Sequence, residues 1–138
     1  MASQPHLNLL QIGPSLFVNI GFDPTYKPGK TPIAGVSNVE ALIDAGAKIS
    51  CIDEPLAIQL GLPAVNKRRL GGIGGIHIAT MYMAQVQLSG LPFTIWGNFA
   101  GVQLAATGSN YKALIGRAFL QYFTMLYEGQ TGTVILSR

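Results

Sequence analysis

The chain has 138 residues, room for a single domain with one modest core, and 49% of them are apolar while only 11% are charged, against about 25% charged in average globular domains. So little charge favours burying part of the exterior by self-association, and nine scattered basic residues against six acidic ones, net +3, fall short of the clustered stripe that nucleic acid requires. Cys51 stands alone and excludes an intrachain disulfide, His6 and His77 lie at no metal-ligand spacing, and neither a membrane span nor a signal peptide is visible, so the expectation is a soluble intracellular protein without metal or cofactor.

Seventeen glycines and eight prolines punctuate short segments rich in Val, Ile, Thr and aromatics, the pattern of many short strands joined by turns. In chain order the predicted strands are Leu16 to Gly21, Val39 to Ile43, Ile76 to Leu88, Phe93 to Trp96, Val102 to Ala105, Thr124 to Glu128 and Thr133 to Leu136. Alternation is cleanest from His77 to Leu88. Asp23 to Pro32, with three prolines and Gly29, is a loop. Asp53 to Gly61 predicts a helix of about two turns, with an acidic N-cap, Pro55 near its start and Gly61 at its end. A second short helix is expected over Arg117 to Tyr122, and Tyr127 to Val134 reads as a hairpin with a glycine-containing loop. The fold class is all-β, with one domain over residues 1–138.

Three stretches carry chemistry. Ala41-Leu42-Ile43-Asp44-Ala45-Gly46-Ala47 is an apolar strand that delivers one carboxylate into a glycine-containing turn and continues as Ile49-Ser50-Cys51-Ile52. Arg69-Leu70-Gly71-Gly72-Ile73-Gly74-Gly75-Ile76 packs four glycines around Ile73 ahead of the long alternating strand, as at the tip of a hairpin able to flex over a cleft. Ala113-Leu114-Ile115-Gly116-Arg117-Ala118-Phe119-Leu120 is an apolar strand running into a glycine and a short helix. Each alone has a bland reading: an ordinary turn, a surface hairpin tip, a strand-to-helix corner.

In this order and spacing the three resemble the retropepsin-like aspartic peptidases, whose signature is an apolar strand into D-T-G-A or D-S-G-A, a glycine-rich flap and a hydrophobic-Gly-Arg-Asp/Asn corner. The likeness covers roughly 39–136. It implies a single-lobe acid-protease closed barrel with a short C-terminal helix, and an endopeptidase whose catalytic residue is Asp44. Such chemistry needs two carboxylates sharing one proton, because like charges so close cannot both ionise. One, deprotonated, activates water; the other donates to the carbonyl oxygen and then to the leaving nitrogen. Of the six carboxylates in the chain only Asp44 lies in a D-x-G turn, so the second must be Asp44′ of a twofold homodimer.

By the same resemblance, Ile73 presents its backbone N–H over a polypeptide substrate and Gly72 and Gly74 let the tip bend. Leu42, Ala47, Ile49 and Ile76 line apolar pockets, and Gly46 offers its carbonyl to an extended peptide with apolar residues near the cut. Gly116 and Arg117 form the structural corner.

The chain departs from the family at three positions. Ala45 stands where Thr or Ser hydrogen-bonds across the dyad, which predicts a weaker dimer and a less ordered dyad. Ala118 replaces the corner acceptor. Lys48 replaces a frequent acidic partner of the corner arginine, which leaves Asp53 or Glu54 as its expected partners. The alternative function is therefore a weakened or inactive retropepsin-fold module that binds extended peptides. Gly29-Lys30-Thr31 is not a phosphate loop, since Pro24 takes the first glycine's place and Pro32 follows, and the flap glycines do not fit a dinucleotide fingerprint. His77 is expected at the surface or cleft edge, Lys67-Arg68-Arg69 as a solvated flap stem with contact to an acidic substrate as its alternative, and Cys51 as a small core residue rather than a nucleophile.

Overall fold

Alternation of side chains along the stretch ending at Leu88 builds the longest strand of the protein, and the other strands assemble around it. The computed structural model describes residues 2–4, 13–32, 34–72, 75–91, 93–105, 108 and 110–138. In chain order the elements are β1 (Ala2–Gln4), β2 (Ser15–Gly21), β3 (Val36–Ile43), β4 (Cys51–Asp53), α1 (Glu54–Gln59), β5 (Ala64–Gly72), β6 (Gly75–Leu88), β7 (Thr94–Val102), β8 (Ala113–Ile115), α2 (Arg117–Leu120), β9 (Thr124–Glu128) and β10 (Thr133–Ser137). Among these residues no helix is long and apolar enough to cross a membrane.

β2, β3, β8, β4, β7 and β6 follow one another as hydrogen-bonded neighbours, and β2 pairs back onto β6, so six strands close into a barrel. Closure leaves these strands without free edges. β5 extends the ring as an edge strand paired to β6 alone, while β1, β10 and β9 form a separate three-stranded sheet. Residues at every second position fill the barrel: Leu16, Val18 and Ile20 from β2 meet Ala84, Val86 and Leu88 from β6, with Val134 and Leu136 of β10 in the same cluster. Burying each such Val, Leu or Ile contributes roughly 1.5–3 kcal/mol.

Gln85 is the largest of the buried polar side chains among the described residues. Its amide accepts the Asp23 N–H at 2.7 Å and donates to the Asp23 carbonyl at 3.0 Å, so both ends of a buried polar group are satisfied and the 23–32 loop is fixed where it leaves β2. Another local exception is Asn38, which adopts a left-handed φ of 54° opposite the register shift between Val18 and Ile20. Asparagine tolerates that conformation better than most residues, and the Asn19 side chain accepts the Asn38 N–H at 2.9 Å.

The expected strands, both short helices and the final hairpin are present, with three corrections. Phe93 to Trp96 and Val102 to Ala105 are not two strands: one strand, β7, runs from Thr94 to Val102. The glycines that interrupt its pattern make room for neighbours instead of turning the chain. A Cβ on Gly97 would meet the Phe119 ring at 3.1 Å, and one on Gly101 would meet Glu54 and Tyr82 at 2.7 Å. Beyond Val102 the strand stops because the Asp53 carboxylate takes the N–H groups of Leu104 and Ala105 at 3.1 and 3.3 Å. Asp53 precedes α1 as expected, yet makes no side-chain cap bond to it. Finally, the expected flap stem Lys67-Arg68-Arg69 belongs to a strand absent from the predicted set, β5, antiparallel to β6 from Ala64 to Gly72 with a register shift between Ala64 and Asn66.

Candidate active site

β3 and β8 run parallel, pairing Ala41 with Ala113 and Ile43 with Ile115, while β8 pairs antiparallel with β4 on its other side. The strand that arrives late in sequence is thereby inserted between the two strands that flank the Asp44 turn. Parallel pairing also brings the carboxyl ends of β3 and β8 to one rim of the barrel, where Asp44 and Gly116 end their strands.

Backbone bonds stitch the two ends together. The Asp44 N–H donates to the Ile115 carbonyl at 2.8 Å, Arg117 N–H to the Ala47 carbonyl at 2.8 Å, and Ala118 N–H to the Lys48 carbonyl at 3.1 Å. Ser50, fully buried, accepts the Gly116 N–H on its hydroxyl at 2.9 Å. Within the turn, Ala47 N–H reaches the Asp44 carbonyl at 3.1 Å and Gly46 N–H reaches Asp44 Oδ1 at 3.1 Å. Asp44 itself is half-buried, its carboxylate oriented by the turn that carries it. Gly116 is required by space: a Cβ there would lie 2.8 Å from the Ala47 carbonyl oxygen and 2.9 Å from that of Ile49, and such backbone atoms cannot step aside without opening the turn.

Arg117 completes the corner differently from expectation. Its guanidinium Nη1 donates to the Ala45 carbonyl at 2.9 Å, whereas Asp53 is engaged by Leu104 and Ala105 and Glu54 accepts the Tyr82 hydroxyl at 3.1 Å. Neither acid is its partner. With Lys48 at position 48, the backbone of the Asp44 turn supplies the acceptor.

A cleft of about 410 Å³ opens between this turn and the β5–β6 hairpin, lined on the floor by Gly46, Ala47, Lys48, Ile49, Cys51 and Arg117 and above by Arg68, Arg69, Leu70 and Gly71. Of the residues singled out from sequence, Gly46, Ala47, Ile49 and Arg117 are brought together here. Leu42 and Ile76 lie outside this lining, and Ile76 is 66% exposed. Gly72 pairs with Gly75 at the end of the hairpin; Ile73 and Gly74 lie outside the described residues. His77 is exposed, as expected.

Sequence reasoning gave Arg68 and Arg69 a substrate contact only as the lesser alternative and missed Leu70 and Gly71 as cleft residues. The signal was present in the pairing of Arg68 with Ala79 and Leu70 with His77, which depends on reading β5 as a strand. Cys51 also belongs to the lining. It packs with Ile49 and Leu70 against Ala79, Met81 and Ala100. Burial pushes its thiol pKa up, and the negative charge of Asp44 adds to the effect, which keeps the sulfur protonated and poorly nucleophilic. Among the described residues no three His, Cys, Asp or Glu side chains gather as metal ligands would.

No family model matches the chain, and no curated protein matches it in sequence. Among solved structures it is similar to the Simian Foamy Virus (mac) protease in solution, at 14% identity and a TM-score of 0.51, over 78% of this chain and 92% of that one. At this identity the likeness concerns the fold alone. The closed six-stranded barrel, the inserted β8 and the short α2 make the architecture that of the single-lobe retropepsin fold.

Proposed function

We propose that the protein is an aspartic endopeptidase that hydrolyses peptide bonds with a water activated by Asp44 and Asp44′ across a homodimer. The observation that carries this reading is the turn itself: Asp44 leaves β3 into a loop held to the 115–118 corner by Ile115, Ser50, Arg117 and Ala118, beneath a hairpin that roofs a cleft. A carboxylate held by its turn at the margin of a cleft suits general acid–base work, which requires positioning before it requires a tuned pKa.

The cleft also suits an extended chain. β5 is paired on one side only, and its residues Arg68 to Gly71 line the cleft. A peptide adding alongside that free edge gains main-chain hydrogen bonds irrespective of its sequence. This favours peptide binding even if Ala45 weakens the dyad, which keeps the non-cutting peptide-binding module as the second reading.

Dimerisation follows from the carboxylate count, and one surface supports it. β9 is an edge strand exposed along its whole length, displaying Met125, Leu126 and Tyr127. By contrast β2 and β10 are each paired on both sides and have no edge to offer a second copy.

The test is incubation with an unfolded protein over roughly pH 4 to 7, because activity of a dyad depends on its sharing one proton. Wild type cleaves it and Asp44→Asn does not; cleavage that survives the substitution removes Asp44 from the mechanism.

A further inference from the structure

The residues that line the cleft are strongly cationic. Four of the chain's nine basic residues, Lys48, Arg68, Arg69 and Arg117, are among its lining residues. All four are exposed. Asp44 adjoins the floor, but no carboxylate lines the cleft. The other five acids have local partners elsewhere: Asp23 accepts from Thr25, Glu40 from Ser15, Asp53 from Leu104 and Ala105, Glu54 from Tyr82 and Glu128 from Thr131. Charges of one sign gathered along a cleft raise the local concentration of ligands of the other sign.

Strand geometry refines this into a pattern. Side chains of directly paired residues share a face, so Arg68 stands with Ala79 and Leu70 with His77. Leu70, with Ile49, packs on the small cluster formed by Ala79, Met81 and Ala100. Arg68 and Leu70 therefore look to the same side, two residues apart. A peptide extending the sheet beside β5 places side chains at the same spacing, one against the apolar Leu70–Ile49 surface and another, two positions away, beside Arg68. Lys48 and Arg117 stand across the cleft on the floor.

We infer that the preferred substrate is an acidic peptide, with glutamate or aspartate two positions from an apolar residue that occupies the Leu70–Ile49 surface. This rests on the proposed endopeptidase reading for its cleavage arm and is independent of it for its binding arm. Nucleic acid is disfavoured as the occupant because the apolar Leu70–Ile49 surface and the free strand edge match a polypeptide backbone with alternating side chains.

The experiment uses short peptides with an apolar pair at the centre and glutamate, glutamine or lysine two positions out on each side. With wild type, kcat/KM for the glutamate peptide exceeds that for the lysine peptide about tenfold at low salt, the combined effect of several exposed charge pairs. Screening shrinks the ratio as ionic strength rises toward 1 M. Arg68→Glu together with Lys48→Glu reverses the order. In parallel, Asp44→Asn protein is titrated with the same fluorescently labelled peptides. Tighter binding of the glutamate peptide without turnover by wild type upholds the acidic preference and defeats the endopeptidase reading. Cleavage with equal kcat/KM for all three peptides, insensitive to salt, defeats the acidic preference and leaves the endopeptidase reading intact. Displacement of the glutamate peptide by an equal concentration of single-stranded oligonucleotide overturns the peptide assignment.

Discussion

Cys51 lines the cleft beside the turn that carries Asp44, so the thiol senses that carboxylate's charge. Its pKa is raised, first by burial and then by Asp44; the folded state therefore holds the thiol proton to higher pH than the unfolded chain does. The stability this contributes is complete below the unfolded thiol's pKa and is lost as pH rises through the folded value. Native protein should accordingly react slowly with iodoacetamide at mildly alkaline pH, with the rate rising only at higher pH. Asp44→Asn removes the smaller of the two causes, so alkylation at a fixed pH becomes faster, while burial keeps it below the rate of the unfolded chain. An identical pH–rate profile for the two proteins would mean that Asp44 carries no charge near the sulfur. At this scale the sequence was informative where space or chemistry leaves one choice. A Cβ on Gly116 has nowhere to go, and the Asp44-Ala45-Gly46 turn is closed by the Gly46 N–H on Asp44 Oδ1. The acceptor for Arg117 was not visible in the sequence: a side chain searching for a lost acid finds whichever oxygen is nearest, and here that is a backbone carbonyl brought close only by the fold.

α2 shows how an element too short to hold itself can still position a site. Four residues lie far below the length at which an isolated helix is stable, so its place depends on packing. Phe119, buried, packs its ring at a tilt against Phe99 of β7 at a centroid distance of 4.8 Å and occupies the space left open at Gly97. Through Arg117 and Ala118 the same helix holds the turn of Asp44. Phe119→Ala should therefore cost about 3–5 kcal/mol in urea unfolding, with a larger fall in cleavage than the remaining folded fraction explains. Loss of stability with full activity per folded molecule would separate the corner from the site. The strand β7 illustrates the opposite failure of legibility. Gly97 and Gly101 look like turn punctuation in the sequence, and only the tertiary neighbours, Phe119 on one side and Glu54 with Tyr82 on the other, reveal them as close-packing positions. β5 was hidden for a related reason: its polar Lys67-Arg68-Arg69 run lacks an apolar alternation, and it is a strand because β6 offers it an edge.

For the whole molecule, the sequence resemblance and the closed barrel with its inserted β8 lead to the same architecture, and the carboxylate count makes one copy insufficient for the proposed chemistry. In the proposed dimer, Ala45 is the residue beside the dyad that lacks a hydroxyl to bond across it. Restoring a hydroxyl with Ala45→Thr should strengthen self-association, each cross-dyad hydrogen bond contributing about 0.5–1.5 kcal/mol, and should raise cleavage in step. Sedimentation that finds the same dissociation constant for both proteins would count against a role for position 45 at the dimer axis. The most direct test of the shared dyad is to mix wild type with Asp44→Asn in equal amounts, allow subunits to exchange, and measure cleavage against the same total concentration of wild type. If each active centre needs Asp44 from both copies, only wild-type pairs work and activity falls to about a quarter. Activity at about half, tracking the amount of wild-type chain linearly, would contradict the account, because each chain would then be catalysing alone.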